Sequence, residues 1–419
     1  MKPRFLLAIC SLLLLAALPG AAQGTRPLAG HIFVTNQGDA TISVVSESSL
    51  EVIETIKLTD LGYSATSKPH HVAVDPTGEH FYVSLIGGNK VLKFNASFEV
   101  EAEADMETPG MVMIDPVRDL LLVGRSLTAV SPPQSIGLIN RTTMRVEEQD
   151  VLYPRPHALV PAPDGSYAYS ASLAQNTMAR INVAEEIVDL VQIDGPLQAI
   201  VQFAISPDGT TMVGGGQMTS QLLVFDLTGD MPEWIGSIRT ESEPWHPVFS
   251  PDGRYVYFGN KAANRISFVD MEAMAVTRVI SGYGIADPHG ISISADGSRI
   301  YVSNMNMRGD YVPGMNHEGM NHEGMNHEGM DHEGMDHEGM NHEGMDHEGM
   351  NHEGMNHEGM DHEGMDHEGM DHEGMNHAGM DHGIGNLMVI DTASGEIVKI
   401  IDIGAGPSGV GIISPNTTR

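Results

Sequence analysis

The chain has 419 residues, a formal net charge of −34 and a single cysteine, Cys10. That charge repels nucleic acid and anionic membrane and attracts cations, so neither of the former is an expected partner. One cysteine excludes an internal disulfide and the paired thiols of a c-type haem attachment, and no haem is expected.

Met1-Lys2-Pro3-Arg4 precedes an apolar run from Phe5 to Leu18, followed by Pro19-Gly20-Ala21-Ala22. A basic start, a short apolar stretch and small residues at its end predict a secretory signal peptide over 1–22. Cleavage near Ala22 removes Cys10, so a metal must then be held by His, Met, carboxylates or backbone, and a blue-copper site with a thiolate is excluded. The run is too short to span a bilayer, and no other stretch approaches the roughly 18 apolar residues that spanning needs. The expected location is outside the cytoplasm, in a periplasm or in the extracellular space, with no membrane insertion after cleavage.

From His31 onward one unit recurs seven times: an apolar strand, a turn, a second strand, a polar loop, a third strand ending near Asp, and a fourth strand. The turns read Asp75-Pro76-Thr77-Gly78, Asp115-Pro116, Ala162-Pro163-Asp164-Gly165, Ser206-Pro207-Asp208-Gly209, Ser250-Pro251-Asp252-Gly253 and Ser294-Ala295-Asp296-Gly297. Pro presets φ and Gly accepts a positive φ, so these are hairpin turns. Short strands at this spacing, four to a unit, predict an all-β seven-bladed β-propeller over 31–313 and 384–419. The N-terminal strand (His31–Val34) reads as a second strand and the C-terminal one (Pro407–Ser414) as a first strand. One blade is therefore expected to be closed by both ends of the chain, which removes an exposed edge. Gly214-Gly215-Gly216 opens no helix and reads as a blade loop.

His31-Ile32-Phe33-Val34-Thr35-Asn36, Tyr255-Val256-Tyr257-Phe258-Gly259-Asn260 and Tyr301-Val302-Ser303-Asn304 resemble the YVTN-type seven-bladed propeller repeat. The resemblance implies the fold and leaves function open, because such propellers carry many unrelated activities.

Residues 314–383 interrupt the last blade with a Met-Asn/Asp-His-Glu-Gly repeat, fourteen units long with the last two degenerate. This tract holds 19 of the 56 acidic residues and no Lys or Arg. A five-residue period rotates successive Met side chains by about 140° on a helix and makes no stripe. On a strand it alternates faces. Each Gly adds about 1 kcal/mol of helix cost. With no face to bury, the tract is expected to be disordered without metal.

Thioethers suit Cu(I) and by extension Ag(I), while imidazoles suit copper, zinc and nickel. The candidate thioether ligands are Met315, Met320, Met325, Met330, Met335, Met340, Met345, Met350, Met355, Met360, Met365, Met370, Met375 and Met380. The interleaved imidazoles are His317, His322, His327, His332, His337, His342, His347, His352, His357, His362, His367, His372, His377 and His382. Met-x-His-x-x-Met puts an imidazole between two thioethers within reach of one ion. The pattern resembles the Met/His repeats of periplasmic copper- and silver-resistance proteins. Copper ions are the expected cargo, Cu(I) before Cu(II), with Ag(I), Zn(II) or Ni(II) as alternatives.

Seven histidines lie outside the tract. Pro69-His70-His71, Pro156-His157, Pro244-Trp245-His246 and Pro288-His289 all stand at the start of a first strand, the innermost strand of a propeller blade. His70, His71, His157, His246 and His289 would therefore line one mouth of the central channel, as a ligand site or as structural residues. Strand parity puts the tract on the same face. The leading expectation is a binding protein that sequesters or buffers copper or silver. A metalloenzyme or ligand-binding propeller using the channel histidines is one alternative. A scaffold docking a metal-efflux or metal-delivery protein is the other.

Overall fold

A computed structural model describes residues 26–126, 131–314 and 383–413. The expected signal peptide (1–22) and the repeat tract from 315 to 382, with its expected disorder, lie outside the described residues. Within them the Pro-Asp-Gly turns close as hairpins for a local reason. In Ser250-Pro251-Asp252-Gly253 the Gly253 N–H donates to Ser250 O at 2.9 Å. The Asp252 carboxylate accepts from the Ser250 hydroxyl at 2.5 Å and from the Arg254 N–H at 3.1 Å. Gly253 has φ +74°, which favours glycine. The turns at Ser206 and Ser294 are wired alike.

These hairpins build seven four-stranded antiparallel sheets, as the repeat predicts. Blade 1 joins Pro407–Gly411 to His31–Asn36, Thr41–Ser46 and Glu51–Lys57. Its closure by both ends of the chain is set by the pairs Phe33↔Gly411 and Val34↔Val410. Blades 2 to 6 then follow in chain order, their first strands being Pro69–Val74, Pro109–Ile114, Pro156–Pro161, Ile200–Ile205 and Val248–Phe249. Blade 7 consists of Pro288–Ile293, Arg299–Asn304, Ile384–Asp391 and Ile397–Ala405.

Each first strand packs beside the next, and the last packs against the blade that holds both chain ends, so the ring is closed. The core is not central. It is divided into seven apolar clusters, each between two neighbouring blades. Between blades 1 and 2, for example, Phe33 stacks on Phe81 at 4.3 Å and Phe81 on Phe94 at 4.6 Å. Second and third strands are covered on both faces and so read as continuous apolar runs, as in Ile32-Phe33-Val34. Outer strands carry the charge, as in Glu51–Lys57, where a single residue is buried. No helix among the described residues is long and apolar enough to cross a membrane.

The tract is spliced between the second and third strands of blade 7. Asn304 pairs with Pro288 on one side and Asn386 on the other. The insertion therefore leaves from the blade end at which the first strand starts. Its two stems are tied together by Asn306, whose side-chain amide donates to Tyr311 O at 2.8 Å and to Ile384 O at 2.9 Å.

Candidate functional site

Every second strand carries a small residue at its last-but-one position: Thr35, Ser84, Gly124, Ala171, Gly215, Gly259 and Ser303. The start of the next blade crosses close to that point. The Thr35 hydroxyl donates to His70 O at 2.9 Å, Ser84 to Gly110 O at 2.7 Å, and Ser303 to Ser408 O at 2.6 Å. A Cβ at Gly124 would lie 2.8 Å from His157 O, and one at Gly215 would lie 2.9 Å from Trp245 O. Gly214-Gly215-Gly216 is accordingly the end of the strand Thr211–Gly216 rather than a loop, and its glycine admits the Trp245-His246 segment. Each histidine-bearing backbone is thus seated by its neighbour.

The sequence-predicted channel histidines come together. They do not stand apart around an open rim: His70, His157, His246 and His289 are 5–7 % exposed, and His71 is partly buried. Ring centroids lie 5.9 Å apart for His70–His157, 5.7 Å for His70–His289, 5.0 Å for His246–His289 and 6.5 Å for His71–His246. Blades 2 and 6 are not neighbours in the ring, so the His71–His246 contact runs across the axis. The five imidazoles form one cluster inside the ring.

Burial sets their charge. Desolvation pushes His71 down to about 4. It lowers His157 as well, and it takes His246 and His289 well below the ordinary histidine range, with the other imidazoles adding to the effect. At neutral pH these four rings are uncharged and each keeps a lone pair, the form that binds metal.

Hydrogen bonds fix some of the tautomers. His157 Nδ1 lies 2.8 Å from Val201 O, a group that only accepts, so Nδ1 carries the proton and Nε2 keeps its lone pair. His71 Nδ1 accepts from the Val112 N–H at 3.3 Å, so the His71 proton is on Nε2. His70 Nδ1 meets the Gln37 side-chain amide at 2.9 Å. His246 Nε2 and His289 Nδ1 are buried without a hydrogen-bond partner, as is Trp245 Nε1.

Trp245, in the sequence only a spacer between Pro244 and His246, joins the cluster. Its ring lies 5.4 Å from His289 and 6.3 Å from His246, and Lys261 Nζ sits 4.4 Å from its centroid. Burial lowers the Lys261 pKa in spite of Glu243 and Asp287 nearby. The two remaining histidines lie elsewhere: His31 rests against Phe33 and Phe98, and His80 meets Glu101 at 2.9 Å. Among the described residues no group of three His, Cys, Asp or Glu gathers as a metal-ligand set. The twenty-eight tract ligands, Met315 to His382, lie outside the described residues. Their root does not. Asp287, two residues before His289, accepts from the Met307 N–H at 2.8 Å and pairs with Arg308 at 3.0 Å.

No protein-family model matches the chain, and no curated protein matches it either. Solved structures do. A protein of unknown function from Desulfotomaculum acetoxidans aligns with a TM-score of 0.62 at 12 % identity, over 92 % of this chain and 100 % of that one. The dihydro-heme d1 dehydrogenase NirN aligns at 0.57 and 12 % identity, over 94 % of this chain and 77 % of that one. A streptogramin B lyase aligns at 0.54 and 15 % identity, over 66 % and 91 %. At these identities the likeness establishes the propeller fold alone.

Proposed function

We propose that this chain is an exported, YVTN-type metal-binding propeller that sequesters or buffers copper or silver through its Met-Asn/Asp-His-Glu-Gly tract. The observation that carries the reading is the tract itself. Fourteen Met and fourteen His recur in register with 19 carboxylates and no basic residue. Soft thioethers select Cu(I) and Ag(I), imidazoles widen the range to Cu(II), Zn(II) and Ni(II), and carboxylates concentrate cations locally. The signal-peptide pattern supports action in a periplasm, where a metal-efflux or metal-delivery protein would take the ions onward.

The propeller supports this reading as a platform. Asn306 clasps the two stems of the insertion, so the tract is tethered at both ends to one blade. Anaerobic equilibrium dialysis against Cu(I), followed by elemental analysis, compares the full chain with one lacking 315–382. The full chain should hold several ions, and the shortened chain should lose most of them. Equal loading of both proteins would overturn the proposal.

A further inference from the structure

The buried imidazoles support a second site that does not depend on the tract binding metal. We propose that the propeller channel itself binds monovalent Cu(I) or Ag(I), at low coordination number, between adjacent imidazoles of His70, His157, His289 and His246.

Spacing is the first argument. With a metal–imidazole bond of about 2 Å, two rings sharing one ion have centroids about 5 Å apart at a tetrahedral angle and about 6 Å apart when collinear. The three ring pairs stand at 5.0, 5.7 and 5.9 Å.

The second argument is donor chemistry. His157 donates Nδ1–H to a backbone carbonyl at 2.8 Å, the outer hydrogen bond that orients a ligating histidine and leaves Nε2 to the ion. His246 Nε2 and His289 Nδ1 are buried nitrogens without a hydrogen-bond partner, and they belong to the closest pair of rings.

Ion class follows from what the cluster lacks. No three His, Cys, Asp or Glu among the described residues gather around one point, so a four-coordinate Zn(II) or Cu(II) site is not built. A closed-shell monovalent ion is content with two or three ligands. His157, His246 and His289 are also neutral, and the cost of burying an ion rises as the square of its charge, so a dication would cost roughly four times as much here as a monocation. The insertion leaves blade 7 beside His289, at the same end of the propeller.

Trp245 supplies the readout, since its ring lies 5.4 Å from His289 and 6.3 Å from His246. The chain has two tryptophans, and Trp234 is on an outer strand. The full-length Trp234→Phe protein therefore reports on Trp245 alone. Silver nitrate titrated into it in chloride-free buffer should quench Trp245 emission at least two-fold and to saturation, while Zn(II) leaves it unchanged. Adding His70→Phe and His289→Phe should abolish the quenching, while Ag(I) uptake by elemental analysis falls by no more than a few equivalents. Unquenched emission in a Trp234→Phe protein that has taken up Ag(I) would overturn the channel site without touching the tract proposal. So would quenching that survives the paired histidine substitutions, or an equal response to Zn(II). The unsubstituted-histidine arm stands even if the paired variant does not fold.

Discussion

His71, His157, His246 and His289 titrate below the ordinary histidine range because they are buried, His71 at about 4. In the unfolded chain each would take up a proton near pH 6.5. The unfolded state thus binds more protons below that pH, and the propeller must lose stability as pH falls from about 6.5 towards 4. Each unit of depression is worth about 1.4 kcal/mol. The hydrogen-bonded aspartates Asp164, Asp208, Asp252 and Asp296 are shifted down too, but their contribution is lost only below pH about 4, where an unfolded Asp protonates. The urea midpoint of the metal-free protein should therefore drop between pH 7 and pH 5. A midpoint that is flat or rising over that interval would contradict the buried, neutral cluster. Part of this site was legible in the sequence, since a His one or two residues after Pro at four first-strand entries marks one level of one channel. Its depth was not. Gln37 and Val201 come from other strand ends, and only the closed ring brings them to His70 and His157.

At the scale of the element, blade 7 carries a long insertion without losing its pairing. Asn304↔Asn386 continues the ladder directly across it, and Asn306 closes the stems. Long loops cost little extra closure entropy. Deleting 315–382 and joining the stems with a short Gly/Ser linker should leave a β-type circular dichroism spectrum and a cooperative melt. Loss of cooperative melting would show that the tract is structural. Asn306→Ala leaves two stem carbonyls without their donor and should cost about 1–3 kcal/mol in urea unfolding. Gly259→Val should be at least as damaging, because its Cβ would stand 2.7 Å from Pro288 Cβ, directly before His289. Overpacking of that kind costs about 1–3 kcal/mol, measurable as a lower thermal midpoint. Turn and strand positions were readable because Pro-Asp-Gly and apolar runs act locally. Blade 5 was the least readable, because Val201-Gln202 replaces the Pro-His start. There the Gln202 side chain accepts from the Leu159 N–H and donates to Leu159 O, a bridge between blades that no local pattern announces.

The whole molecule divides its labour by chemistry. The propeller buries its apolar surface in seven wedges between blades and keeps His71, His157, His246 and His289 neutral inside. The tract concentrates thioethers, imidazoles and negative charge on one tether. Closure by the chain ends was legible because the first strand type appears last and the second type first. That the insertion leaves from the propeller end at which the first strands start follows from strand parity, which a sequence also provides. The most direct measurement of the central claim, that this chain is built to hold soft monovalent metal, is a comparison of ions after changing the fourteen tract methionines to leucine. Leucine preserves bulk and apolarity and removes only the sulfur. Competition titrations should show Cu(I) and Ag(I) binding weakened by at least ten-fold while Zn(II) binding, carried by the histidines, changes little. Equal losses for all three ions, or no loss for Cu(I), would contradict the account.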